Sequence, residues 1–213
     1  MRLTVLLLTA LVPAPGSSAA QPAPTEVAAR LDATLAGELF DAETALAPLT
    51  TDEQFLRRVW LDIAGDIPSP EETIAFLLDP SPGKRRALIT QLLDSRGYGQ
   101  NWARYWKDVV FYRAVDDRAR VASLAMEAEL TRRFNEDEPW DKIASRFINT
   151  RGDVLENGTA AIVMAQDART EETAAEVSRI FLGIQIQCAQ CHDHPYDRWK
   201  REQFHELAAF FPR

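Results

Sequence analysis

The residues best suited to chemistry are two cysteines and three histidines near the C-terminus. Cys188 and Cys191 are the only cysteines in the chain, His192 and His194 follow them directly, and His205 lies eleven residues beyond His194. Cys-x-x-Cys-His is the attachment motif of a c-type haem. Two thiols on one helical turn each bond a haem vinyl group, and the adjacent histidine ligates the iron. We therefore predict that Cys188, Cys191 and His192 bind haem c.

The same residues are compatible with three other kinds of site. Zinc prefers thiolate and imidazole ligands, so zinc or iron held by Cys188, Cys191, His192 and His194 is an alternative, with His205 as a further candidate ligand. A disulfide between the two cysteines would close a very short loop and add little stability. A thioredoxin-like redox pair would lie beside a βαβ unit, and we find no such pattern.

The N-terminus has the features of a secretory signal peptide over residues 1–20. Arg2 precedes the apolar run Leu3–Val12, and Ser18–Ala20 resembles a cleavage site. The apolar run is too short to span a membrane. We expect a mature protein that begins near Gln21 and is periplasmic or secreted. Export is compatible with haem attachment and equally with a disulfide.

Composition excludes several classes of function. The net charge of −8 argues against nucleic acid as a partner, and two cysteines are too few for a disulfide framework. After signal cleavage no segment is long enough to span a membrane. No carboxylate pair is singled out by its spacing, so the expectation leans against an enzyme acting alone. A redox partner, or a neighbouring domain or protein of an exported assembly, is the expected partner.

Helical periodicity and capping predict an all-α fold. We expect a single domain of about seven or eight short helices over residues 51–213, after a flexible linker over residues 21–50 that contains a short amphipathic helix. Ser69 and Glu72 form a capping box around Pro70, which suits the first helical position.

Four local expectations follow from the same patterns. Ser81 should cap the third helix of the domain, and Trp102, Tyr105 and Trp106 should share the core face of an aromatic helix. The acidic run 136–138 should be a solvated loop. The helix that begins at Thr170 should lead straight into Cys188, after a loop-like segment at 150–169.

Six segments in order resemble the planctomycete cytochrome-C-like domain family, domain of unknown function 1549. They are Phe55–Asp62, Gly65–Glu72, Tyr98–Gly99, Trp102–Trp106, Phe181–Gly183 and Cys188–Trp199. The resemblance extends from about Thr51 to the end of the chain. It implies an exported bacterial protein with Cys188, Cys191 and His192 as haem-binding positions, in a family whose members are usually longer.

Two functional classes follow. The first is an electron-transfer module with covalent haem. The second is a non-catalytic structural or binding domain whose cysteine and histidine cluster holds zinc, iron or a disulfide. If haem is attached, the sulfur candidates for its far side are Met126 and Met164, both upstream in segments without other ligand-like features. We therefore predict His205 or an open position there.

Overall fold

The computed structural model describes residues 22–39, 47–114 and 116–211. The described residues divide into two units, one before residue 50 and one from residue 50 onwards. In the described part of the first unit, helix α1 (Pro24–Leu39) carries Val27, Leu31 and Leu35 on its exposed surface. The predicted signal peptide lies outside the described residues.

The second unit is built from helices throughout its described part. They are α2 (Asp52–Ala64), α3 (Pro70–Leu78), α4 (Lys84–Leu93), α5 (Arg96–Phe111), α6 (Asp117–Asn135), α7 (Trp140–Ile148), α8 (Ala161–Met164), α9 (Thr170–Val177) and α10 (Arg201–Ala208). The all-α prediction is confirmed. The described part of this unit contains nine α-helices rather than seven or eight, partly because the segment expected to be a loop contains α8, which is a single turn.

No helix among the described residues is both long and apolar enough to cross a bilayer.

Two hydrophobic cores hold the second unit together. The smaller one lies among α2, α3 and α4 and contains the buried residues Leu56, Val59, Phe76, Leu88 and Leu92. The larger one joins α5 to α10 and is centred on fully buried side chains such as Met126, Leu130, Ile143, Phe147 and Phe204. The larger core therefore carries the elements on both sides of the cysteine motif.

The predicted capping box at α3 is present. Glu72 N donates to Ser69 Oγ at 3.2 Å, and Ser69 N donates to a Glu72 carboxylate oxygen at 2.8 Å. The expectation for Ser81 was wrong, because α4 begins at Lys84 and its N-cap is Gly83, which offers no side-chain cap. Ser81 N instead donates to Asp79 Oδ1 at 2.8 Å, so the acidic residue organises this turn.

The aromatic face of α5 is less buried than predicted. Trp102 and Tyr105 are exposed, while the buried face of the helix is made by small and aliphatic residues, Gly99, Ala103 and Val110. Gly99 is required there, because a Cβ at this position would overlap Asn135 and the carbonyl of Thr131 on α6. Trp106 alone of the three aromatic residues packs, half-buried, against the larger core, where its ring stacks on Trp140.

The acidic run 136–138 is not a fully solvated loop, because Glu138 is largely buried and ion-paired. Glu138 accepts from Arg133 Nη1 at 2.5 Å and from Arg146 Nε at 2.9 Å, and Arg133 also pairs with Glu129. The side chains of Arg133 and Glu138 are only 10% and 16% exposed, and Glu129 in turn accepts from Gly158 N at 2.6 Å. This ion-pair network therefore joins α6, α7 and the 3-10 turn that precedes α8.

Desolvation tends to raise the pKa of Glu138, but hydrogen bonds from Arg133 and Arg146 outweigh it, so the pKa lies below its ordinary value. A carboxyl group with a lowered folded-state pKa stabilises the protein above its unfolded pKa, and that stabilisation is lost as pH falls through the folded value. We expect Glu138→Gln to reduce the free energy of unfolding by about 2 kcal/mol at pH 7. The difference from wild type should shrink by pH 3, as measured by urea denaturation.

Glu136→Gln is the matched control for this prediction. Glu136 pairs with Arg132 across an exposed surface, with 55% and 54% of the two side chains accessible. Its substitution should change the free energy of unfolding by less than about 0.5 kcal/mol. Equal losses for the two variants would contradict a special role for the Glu138 network.

Candidate functional site

The chain reaches the cysteine motif through an irregular connection. Helix α9 continues into a single π-helical turn, Ser178–Leu182, and ends at Gly183, whose φ of +68° suits glycine. Ser178 Oγ donates to the carbonyl of Ile184 at 2.9 Å and holds the chain after this turn. The prediction that one helix runs straight into Cys188 was therefore wrong, because the helix stops five residues before it.

The motif itself forms a tight turn anchored in the larger core. Gln187–Gln190 is a 3-10 turn, and Ala189 at its centre and Ile186 before it are buried. Cys188 and Cys191 are free thiols and both are exposed. In 3-10 geometry residues three apart lie on the same side, so burial of Ala189 leaves both thiols directed outwards from one turn.

The hydrogen bond of His192 determines which ring nitrogen is available. Its Nδ1 lies 2.6 Å from the carbonyl oxygen of Asp193. A carbonyl can only accept, so Nδ1 carries the proton and Nε2 of the neutral ring has a free lone pair. Metal-ligating histidines are commonly oriented in this way by a backbone carbonyl. His192 is exposed, so its Nε2 is open to a ligand.

His194 has a different environment from His192. Its backbone N donates to the carbonyl of Trp199 at 2.8 Å, and its Nδ1 accepts from Tyr196 N at 3.3 Å. The ring is half-buried and is held inside the loop that it helps to close.

His205 reaches the motif from α10. Its Nε2 lies 3.1 Å from the carbonyl oxygen of Gln190, so this nitrogen is the donor, and its ring packs edge-on against the buried Phe204. The bond joins α10 to Gln190, which ends the 3-10 turn and directly precedes Cys191. His205 therefore fixes the position of the motif.

Two aspartates that follow the cysteines organise the loop. Asp193 accepts from Lys200 Nζ at 2.7 Å and from Arg201 N, the first residue of α10, at 3.2 Å. The Lys200 hydrogen bond chiefly lowers the pKa of Asp193, helped by the bond from Arg201 N. Asp197 accepts from Arg198 N at 2.6 Å and from Trp199 Nε1 at 3.0 Å. Both carboxylates are thus occupied within the loop.

The structure brings Cys188, Cys191 and His192 together on one turn. It does not assemble them with His194 or His205 around a common centre. Over residues 22–39, 47–114 and 116–211, no three His, Cys, Asp or Glu side chains are placed to hold a metal ion together.

A cleft of about 660 Å³ lies beside Cys188. Residues 183–187 form one part of its lining, and polar residues from three regions complete it. These are Tyr112, Arg113, Glu176, Arg179, His194, Tyr196 and Asp197. Its volume is within the range of pockets that enclose drug-sized ligands.

Tyr112, Glu176 and Arg179 form a hydrogen-bonded group in this cleft. The Glu176 side chain is 7% exposed and accepts from Tyr112 Oη at 3.3 Å and from Arg179 Nε at 2.8 Å. Arg179 Nη2 also donates to the carbonyl of Val109 at 3.1 Å. Hydrogen bonding to Glu176 raises the pKa of Arg179. A buried carboxylate is thereby paired and joins α9 to the end of α5.

The sequence analysis did not identify this group. A signal was present, since Glu176 and Arg179 are an i, i+3 charged pair within an otherwise apolar segment. Nothing in the local sequence indicates that Tyr112 and Arg113, more than sixty positions upstream, lie in the same cleft.

Comparison with known proteins identifies a family for this chain. A family model described as a protein of unknown function, DUF1549 (PSCyt2), matches residues 30–213. No curated protein and no solved structure matches the chain. The match spans the whole second unit and confirms the resemblance carried by the sequence motifs. The chain therefore belongs to the DUF1549 (PSCyt2) family.

Proposed function

We propose that the protein is an exported cytochrome-c-like module that binds haem c through Cys188, Cys191 and His192 and transfers electrons. One observation carries this proposal. Two free, exposed thiols lie on one turn and are followed at once by a histidine whose Nδ1 donates to a backbone carbonyl. This arrangement leaves two nucleophilic sulfurs and one ligand nitrogen accessible in five consecutive residues.

The residues present fit a covalent haem. The thiols need access to the vinyl groups, and both cysteines are exposed. The histidine needs a free nitrogen, and His192 Nε2 has no competing bond to Asp193 because that bond uses Nδ1. The cleft beside Cys188 has a volume of about 660 Å³, suited to part of a large planar ligand.

Attachment requires no oxidant. Cys188 and Cys191 would hold the haem through thioether bonds, each of which would be the net addition of an S–H group across a vinyl C=C bond, so that no atom would leave. Bound haem supplies a site for one-electron exchange at its iron. The protein contributes the two anchors, the orientation of His192 and the fixed position of the turn in the core.

The burial and hydrogen bonds of Met126, Met164 and His205 support a proposal for the second iron ligand. Met126 is fully buried in the larger core, and Met164 packs partly buried against the same core. His205 is exposed, but its Nε2 is bonded to the Gln190 carbonyl, so iron ligation would use Nδ1 or replace that bond. We propose His205 or an open position, as the sequence predicts.

Both cysteines should be needed for full attachment. In a host competent in haem attachment, we expect wild type to carry one covalent haem through two thioether bonds. Cys188→Ala and Cys191→Ala should each retain one bond or none. Mass spectrometry of the intact, denatured protein measures this. Colourless wild type with one equivalent of zinc by elemental analysis would instead indicate a structural or binding domain with a Cys188, Cys191, His192 and His194 site.

His192→Ala should remove the strong axial ligand while leaving both thiols intact. We expect covalent haem with an optical spectrum shifted towards high spin, because the iron loses an imidazole ligand. His194→Ala is the matched control, since the His194 ring is held by Tyr196 N within the loop. If His194→Ala changed the spectrum and His192→Ala did not, His194 rather than His192 would be the iron ligand.

The reduction potential should be below that of cytochromes with Met and His ligands, because methionine ligation raises it. A redox titration and the oxidised spectrum of wild type measure this. A methionine–iron charge-transfer band would contradict the proposal that the second iron ligand is His205 or that this position is open. Comparison with His205→Ala then separates the two arrangements, since a changed ligand field indicates ligation by His205 and an unchanged one indicates an open position.

A further inference from the structure

We propose that a cavity between the end of α7 and the start of α9 binds a small amphipathic carboxylate, a molecule with an apolar body and one carboxylate group. This α7–α9 cavity has a volume of about 580 Å³, within the range of pockets that enclose small ligands. None of Cys188, Cys191 and His192 lines it. The inference therefore goes beyond the proposed function and does not depend on it.

Apolar residues form a large part of the lining of the α7–α9 cavity. Phe211 is buried, with 6% of its surface exposed, whereas Phe210 beside it is 70% exposed. A ligand with an apolar body would remove part of the Phe210 ring from water, which is favourable. The apolar lining residues are Ile148, Val163, Ala168, Phe210 and Phe211.

Arg151 is the only charged residue in this lining among the residues that the structure describes. It is exposed, and no carboxylate of residues 22–39, 47–114 or 116–211 lies within 4.0 Å of its guanidinium. Asp153, Asp167 and Glu171 lie close to lining residues in sequence, but none of them lines the cavity. Asp153 Oδ1 accepts from Leu155 N at 2.7 Å within its own turn. An anion in the cavity therefore meets one guanidinium and no carboxylate of the lining.

The backbone at one side of the cavity is strained. Asp167 and Ala168 have φ values of +52° and +54°, and Ala168 lines the cavity. The turn is held by Ala168 N, which donates to the carbonyl of Val163 at 3.0 Å. Positive φ is uncommon for residues other than glycine, and such strain is found most often at ligand-binding and active sites. This is a second observation, independent of charge, that favours a binding site here.

An amphipathic carboxylate is the ligand chemistry that suits these features together. A guanidinium presents paired donors that match the two oxygens of a carboxylate, and a single guanidinium balances a single negative charge. The apolar residues suit a hydrocarbon or aromatic body. The protein as a whole carries a charge of −8, which repels anions. Any preference for an acid over its neutral amide must therefore arise from a local cation.

The test compares two acids with their amides, octanoate with octanamide and naphthylacetate with naphthylacetamide. Binding of each compound to the full-length protein at pH 7 is measured by isothermal titration calorimetry. We expect at least one acid to bind about tenfold more tightly than its amide, the size of a charged hydrogen bond.

Two substitutions separate the charge from the apolar lining. Arg151→Gln should bring the acid-to-amide ratio close to one while the amide binds as it does to wild type, and Arg151→Lys should give an intermediate ratio. Phe210→Ala should weaken acid and amide alike, by about fivefold, and leave the ratio unchanged. Far-ultraviolet circular dichroism checks that each variant is folded.

Arg86→Gln is the matched control. Arg86 is exposed on α4 and does not line the cavity, and its substitution changes the net charge by the same amount. It should leave the ratio at the wild-type value. The carboxylate site would be overturned if neither acid bound, if both wild-type ratios were near one, or if Arg151→Gln and Arg86→Gln had equal effects.

Discussion

The site depends on the anchoring of one short turn to the larger core. Ala189 and Ile186 are buried in the core, and His205 on α10 donates to the carbonyl of Gln190. The backbone between the cysteines is therefore held by core packing and by this hydrogen bond. A free Cys-x-x-Cys segment would sample many conformations, and fixing each residue opposes folding by about 1–2 kcal/mol. Core burial offsets that entropy and leaves the thiols at the surface in one arrangement.

The loop after the cysteines shows how polar residues serve this anchoring. Asp193 binds both Lys200 and the first backbone N–H of α10, so it joins the motif to the helix that carries His205. In sequence, Asp193 and Asp197 lie among the cysteines and histidines, and carboxylates are possible zinc ligands. In the fold their oxygens are occupied by neighbouring donors, and carboxylates used in this way position a site without ligating anything.

Most of the helical framework could be predicted, because it depends on local signals. The capping box at Ser69 and the apolar stripe of α2 specify their helices within a few residues. Some misassigned positions depend on how the helices pack against one another. Gly99 allows α5 to lie close to α6, while Trp102 and Tyr105 remain exposed, and Glu138 pairs with Arg133 of α6 and Arg146 of α7. The motif residues were identified by spacing, whereas the cleft required Tyr112 and Glu176 to meet across 64 positions.

The irregular connection at Ser178–Leu182 explains why the cleft exists beside the motif. A continuous α-helix would carry Cys188 away along the axis of α9. Instead the π-turn and Gly183 end the helix, and residues 183–187 line the same cleft as Glu176 and Arg179. An inserted π-turn shifts the helical phase and is common at functional sites. The irregularity that ends the helix before Cys188 therefore places the buried, paired carboxylate of Glu176 and the guanidinium of Arg179 in the same cleft as the exposed Cys188.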